Sequence, residues 1–225
     1  MTQTTTLDKG TIDYKAELLR KSIHLISLSI AIIYYYITKE LALKLLIPFT
    51  LLSLILDLAR YVSPAYRKFL YSYFGFMLRE HEINSKQITL SGATYVLIAA
   101  TLTILFFPKV FVILGIAVLI IGDIFAALLG RKYGKHKFLF KSLEGTTAFF
   151  VSGSIVVFFT PKIDGNLTEY LIGFAAVAVA AIVENISYGW ADDNLTIPIS
   201  VCLTMELLYS LFLPNLSLVL QNVPL

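Results

Sequence analysis

The residues best suited to chemistry lie between Ile121 and Gly153, in the run IGDIFAALLGRKYGKHKFLFKSLEGTTAFFVSG. Asp123 sits in strongly apolar sequence, where a carboxylate is costly unless it is paired, hydrated or bound to metal. Ala126, Ala127 and Gly130 follow at i+3, i+4 and i+7, a small-residue stripe that serves close helix packing or the approach of a bulky ligand equally well. Arg131, Lys132, Lys135, Lys137 and Lys141 then supply five cations within eleven residues, with no acid among them and Gly134 as a break. Such a loop can neutralise a polyphosphate. Ser142 is placed to cap the next helix, whose first-turn N–H groups add a second anion-binding feature. With Glu144, Thr146 and Thr147 beside it, the set suits a triphosphate with Mg²⁺. It is not a P-loop, because Gly130 and Gly134-Lys135 are one residue too close and His136 stands where Ser or Thr belongs.

Other polar residues gather near the same end of their apolar stretches. Glu17, Arg20, Lys21 and His24 are spaced i, i+3, i+4 and i+7, one stripe entering the first stretch, although Arg20 and Lys21 could simply snorkel. Asp57 and Arg60 are a turn apart and could be a local ion pair. Glu184 and Asn185 precede Trp190 and then Asp192-Asp193-Asn194-Leu195-Thr196-Ile197-Pro198, a connection with two acids and no Lys or Arg. Acids facing a basic loop across a cleft would coordinate metal and balance its charge. His81-Glu82 lacks the second His of a zinc motif, and the single Cys202 excludes an intramolecular disulfide and a thiolate metal site.

These residues must be positioned by membrane helices. Of 225 residues, 57% are hydrophobic and 15% charged, with mean hydropathy +0.78 and net charge +3. A soluble globule cannot bury that much apolar surface, and the composition excludes a disordered, disulfide-rich, coiled-coil or soluble nucleic-acid-binding protein. The expected fold is all-α, a polytopic integral membrane protein with about seven spans near 22–38, 41–58, 88–107, 109–129, 145–160, 168–188 and 196–213. No cleavage site follows the first stretch, so a removable signal peptide is not expected. Fourteen of the eighteen Lys and Arg fall in the amino-terminal arm (1–21), the second connection (60–87) and the fourth (130–144), which places those segments and the amino terminus in the cytoplasm. Pro64 to His81 interleaves Tyr66, Phe69, Leu70, Tyr73, Phe74 and Met77 with Arg67, Lys68 and Arg79, the pattern of an amphipathic helix on the inner surface of the bilayer. With no internal repeat or linker, residues 1–225 read as one membrane-embedded catalytic domain.

Taken together, the chain resembles the CTP-dependent lipid kinases, which include dolichol and polyprenol kinase, phytol kinase and the CTP-dependent diacylglycerol kinase. The resemblance rests on Glu17/Arg20-Lys21/His24, Asp57/Arg60, Ser91-Gly92-Ala93-Thr94, Gly122-Asp123 with the Gly130-to-Lys135 loop, Lys141-Ser142-Leu143-Glu144-Gly145-Thr146, and Glu184 followed by Asp192-Asp193-Asn194. It implies transfer of the γ-phosphoryl of CTP to the hydroxyl of a membrane lipid, most simply a polyprenol or dolichol. It assigns Asp123, Glu144, Asp192 and Asp193 to Mg²⁺, and Arg131, Lys132, Gly134, Lys135, Lys141, Ser142, Gly145, Thr146 and Asn194 to the nucleotide. Lys21 and His24 would position phosphate or acceptor; Asp123 or Glu184 would be the general base. A homodimer is compatible with the sequence.

The first block also resembles the phosphatidate cytidylyltransferases. Their later Lys-Asp and carboxy-terminal His-Gly-Gly with Asp-Arg do not occur here, which favours a kinase. A transporter or scaffold is a third class, disfavoured by the missing inverted repeat and by polar residues crowded at one face instead of the midplane.

Overall fold

The structure, a computed structural model, describes residues 14–74, 89–187 and 192–224. Lys9, Arg79, Lys86, His81-Glu82, Trp190 and the 75–88 part of the expected amphipathic segment lie outside the described residues. Among the described residues the helices, in chain order, are α1 (Tyr14–Ile26), α2 (Leu28–Tyr36), α3 (Lys39–Val62), α4 (Pro64–Phe74), α5 (Gly92–Phe106), α6 (Lys109–Tyr133), α7 (Leu143–Phe159), α8 (Leu167–Ile186) and α9 (Asp193–Phe212). The only strands there, β1 (Lys137–Phe138) and β2 (Lys141–Ser142), form an antiparallel hairpin pairing Lys137 with Ser142 and Phe138 with Lys141.

The helix starts follow side-chain chemistry. Thr38, Ser91, Ser142, Asn166 and Asp192 each cap a helix by accepting a backbone N–H, satisfying donors that a helix's first turn leaves unpaired. Asn166 and Glu169 form a reciprocal capping box. α5 and α7 stop at Phe107 and Thr160, each the residue before a proline, where the helical backbone is disfavoured.

All seven expected stretches are helical, but by length and composition four helices are able to cross a membrane: α3, α6, α8 and α9. α5 and α7 are apolar and shorter, at 15 and 17 residues. The first stretch is divided: Ser27 N–H bonds to His24 O at 2.9 Å and Ile30 N–H to Ser27 O at 3.0 Å, a turn tightened to three-residue bonding between α1 and α2. α1 also runs back to Tyr14, so the whole Glu17–His24 stripe lies on a helix.

α6 is the central pillar, with α1, α2, α5, α7, α8 and α9 all packed on it. Two-thirds (67%) of its most apolar window is buried, against 6% for α3, which leans on α5 and α4 and presents its other faces outward. Glycines let the helices close up: a Cβ at Gly122 would fall 2.7 Å from the Phe149 ring, one at Gly153 2.8 Å from Val177, and one at Gly173 2.7 Å from Val157. Beyond α9 the chain from Leu213 to Pro224 has no helix, yet Leu216, Leu218 and Leu220 pack against the core.

Candidate functional site

α1 lies against the second half of α6, so the stripe predicted from its spacing meets Asp123. Lys21 Nζ donates to Asp123 Oδ2 in a short buried ion pair, and His24 Nε2 lies 3.4 Å from the same oxygen. One turn earlier on α1, Glu17 pairs with Arg20 at 2.9 Å and with Lys21 at 3.9 Å, and reaches across to Arg131 of α6 at 3.4 Å. Asp123 and Arg131 are eight residues apart, about 12 Å along the helix at 1.5 Å per residue. The acid is therefore set into the protein, and its burial is offset by the lysine.

A second group comes from the hairpin, α8 and α9. Lys141 Nζ donates to Glu184 Oε1 at 2.5 Å and lies 3.4 Å from Asp193 Oδ2. Burial alone would lower the Lys141 pKa, but Asp193 and Glu184 raise it above the usual lysine range, so the ammonium stays charged. Asn185 fixes where this lysine emerges. Its Oδ1 accepts the N–H groups of Phe140 at 2.9 Å and Lys141 at 3.2 Å, while Nδ2 donates to Thr146 Oγ1 at 2.6 Å, tying hairpin, α7 and α8 together at a fully buried residue. The turn it holds contains Leu139 at φ +52°, a left-handed conformation that an L side chain adopts only at a cost.

The two groups form one cluster. Asp193 acts electrostatically on Arg20, Lys21 and His24 as well as on Lys141, and Asp123 acts on Lys141. A Cβ at Gly92, which opens α5, would come within 3.3 Å of Asn194 Nδ2 and 3.9 Å of Arg20, so α1, α5 and α9 converge there. Asn194 is held by Asp192 Oδ1, which accepts both its backbone N–H at 2.9 Å and its side-chain amide at 2.8 Å. Asp57 anchors the same end of α5 by accepting Ser91 N–H at 2.7 Å and Thr94 Oγ1–H at 2.6 Å, with Arg60 4.0 Å away. Among the described residues, Glu184 Oε2, Arg20 Nε and His24 Nε2 are buried in the charged cluster without a hydrogen-bond partner.

Other expected residues are not brought in. Lys132, Lys135 and Lys137 are exposed, Lys132 lying over the Tyr133 ring. Glu144 turns toward the hairpin base, accepting His136 N–H and pairing with His136 Nδ1 at 2.7 Å. Part of the α7 N-terminus is used internally: Ser142 Oγ accepts Gly145 N–H at 3.1 Å, and Leu143 N–H bonds to His136 O. Gly134 is required by space, since a Cβ there would fall 2.4 Å from Gly130 O and 2.7 Å from Ser142 Oγ. Thr146 and Gly145 are buried at the joint with Asn185. The Asn185 clamp and the Glu144–His136 pair leave no signal in the sequence; both depend on a hairpin whose two-residue strands show no alternation.

The donor set bears on the expected cation. No group of three or more His, Cys, Asp or Glu side chains converges among the described residues. Asp123 and Asp193 are separate carboxylates, each beside a lysine, Lys21 and Lys141 respectively.

Over 197 residues, covering 86% of this chain and 95% of the relative, the sequence is 32% identical to an uncharacterized protein of Rickettsia prowazekii (strain Madrid E). The chain belongs to that protein's family. A phytol kinase of Synechocystis sp. (strain ATCC 27184 / PCC 6803 / Kazusa) is 33% identical over 99 residues, 42% of each chain. No family model matches the chain. No solved structure matches it.

Proposed function

We propose that this protein is a membrane-embedded kinase of lipid alcohols that uses CTP with Mg²⁺, its acceptor a polyprenol- or dolichol-type isoprenoid. The partial likeness to a phytol kinase supports the reaction class. The observation that carries the reading is the internally paired charge cluster: Arg20, Lys21, Arg131 and Lys141 each have Glu17, Asp123, Glu184 or Asp193 beside them. Such a network complements a metal–polyphosphate, whose phosphates would take over the cations as its metal takes over the acids. Pairing until then limits the cost of burying eight charges.

In this reading Lys141, Arg131 and Arg20 hold the phosphates, with Lys132, Lys135 and the Ser142–Thr146 turn at the outer rim. Asp123 and Asp193 would hold Mg²⁺, with Asp192 as a further ligand and Glu144 joining them only on leaving His136; bound there, the ion would neutralise charge on the phosphates. Lys21 and His24 orient the acceptor. The acceptor oxygen forms a bond to the γ-phosphorus as the bond from that phosphorus to the β-bridging oxygen breaks, releasing CDP. The hydroxyl proton passes to a carboxylate, Asp123 or Glu184; each has one oxygen on a lysine, and Glu184 keeps a second buried oxygen, Oε2, without a hydrogen-bond partner. Catalysis rests on placement and charge, as phosphoryl transfer requires. Seven crossings with the amino end and the cluster at the cytoplasmic face are the topology proposed, with α4 lying on the inner surface.

Equilibrium binding of CTP to purified protein, with and without Mg²⁺, tests this. Binding should require Mg²⁺ and weaken by about tenfold or more in Lys141→Ala, the loss expected for a charge-assisted contact. Equal binding by wild type and variant would move the phosphate site elsewhere.

A further inference from the structure

The end of α6 opposite the charged cluster carries a second feature that the kinase reading does not use. Lys109 opens α6 while Arg131 lies near its close, about 33 Å away at 1.5 Å per residue. There the α2–α3 turn, the α5–α6 turn and the carboxy-terminal segment enclose a cavity of about 490 Å³, within the range of small-molecule sites. Three lysines fall outside the cationic segments and away from Lys44, namely Lys39, Lys109 and Lys162, and two of them line this one cavity. Lys39 Nζ donates to Leu105 O at 2.8 Å; Lys109 Nζ donates to Ile37 O at 2.8 Å and to Pro224 O, and lies 4.8 Å from the centre of the Tyr34 ring. Each ammonium has three donors, so N–H capacity remains on both. Among the described residues neither has an ion-pair partner. Glu206 also lines the cavity, leaving one net positive charge among the described lining residues, and the remaining walls are largely apolar, with Phe106, Phe107, Leu218 and Leu220 among them.

Paired ammonium groups at the ends of membrane helices, above aromatic and aliphatic walls, complement an amphiphilic anion. We propose that this cavity binds an anionic phospholipid of the leaflet opposite the charged cluster, its phosphate on Lys39 and Lys109 and the upper part of its chains against Phe106 and Leu220. The bound lipid would join α2, α3 and α5 to the carboxy-terminal segment, which Lys109 already touches.

The test uses the full chain in phosphatidylcholine nanodiscs with a phosphatidylglycerol carrying a photoactivatable diazirine at the start of one acyl chain, and adducts mapped by peptide mass spectrometry. Adducts should appear on residues 106–109 and 218–224, be displaced by unlabelled phosphatidylglycerol, and resist added phosphatidylcholine or inorganic phosphate. Lys39→Ala should lower their yield about fivefold, and Lys39→Glu further, without changing adducts on the 131–141 loop. Lys39 is preferred to Lys109 because its loss releases a single carbonyl, and the wild-type competition stands without any variant. No adducts at these segments, an unchanged yield in Lys39→Glu, or equal displacement by phosphatidylcholine would overturn the proposal; displacement by inorganic phosphate alone would make this a free-anion site and overturn the lipid assignment.

Discussion

Asp123 illustrates how a buried charge constrains its own mutagenesis. Substituting Asp123→Asn leaves the buried Lys21 ammonium with Glu17, 3.9 Å away, in place of its close partner, and breaking a buried pair costs about 3–5 kcal/mol. Thermal unfolding in detergent should therefore show a large loss for Asp123→Asn and a substantial recovery in Lys21→Met/Asp123→Leu, which removes both charges; a single variant as stable as wild type would mean the pair is hydrated. Asn185 makes a different demand, since it carries no charge and holds Lys141 through backbone bonds. Asn185→Leu should expose Lys141 to amine-reactive labelling, measured by mass spectrometry, at a rate several-fold above wild type; an unchanged rate would show that the hairpin holds itself. Asp123, Lys141 and Glu184 could be selected from the sequence because an acid in apolar surroundings and a cation run are visible one residue at a time. Asn185 appeared there only as Glu184's neighbour, because its role is set by three elements that meet in space.

At the level of elements, the 3.6-residue spacing of Glu17, Arg20, Lys21 and His24 was enough to place all four on one face, and α1 presents that face to α6. Hydropathy located every apolar stretch, yet it could not show that α5 and α7 are cut short by serine caps and prolines, or that Ser27 divides the first. Beside Asp123, and outside the Ala126, Ala127 and Gly130 stripe, Gly122 serves close packing against Phe149. Gly122→Ala would drive a methyl into the Phe149 ring, at 2.7–2.9 Å from its atoms, so overpacking should cost about 1–3 kcal/mol in a denaturation series. Gly122→Ala/Phe149→Leu should recover part of it. A neutral Gly122→Ala would mean that α6 and α7 separate easily.

For the whole molecule, the composition and four helices long and apolar enough to cross a membrane are compatible with an integral membrane protein, and the sparse burial of α3 agrees with a helix whose outer faces meet lipid. The order in which helices surround α6 was not readable, because nearly uniform apolarity hides which face each one buries; nor was the folding back of the carboxy-terminal segment. Topology can be measured directly in a Cys202→Ala background, since Cys202 is buried and is the single cysteine. A cysteine at Lys135 should react with a membrane-impermeant maleimide only from the cytoplasmic side and one at Asp164 only from the other; labelling of both from one side would remove a crossing between them. The central claim is tested most directly by phosphate transfer. Purified protein with Mg²⁺ and a panel of prenols, phytol and diacylglycerol would be given CTP labelled at the γ-phosphate in one set and the α-phosphate in another. Label from the γ-position in an isoprenoid alcohol, with none from the α-position, is the predicted result; α-label entering lipid only when phosphatidate is supplied, or no transfer of either label, would contradict it.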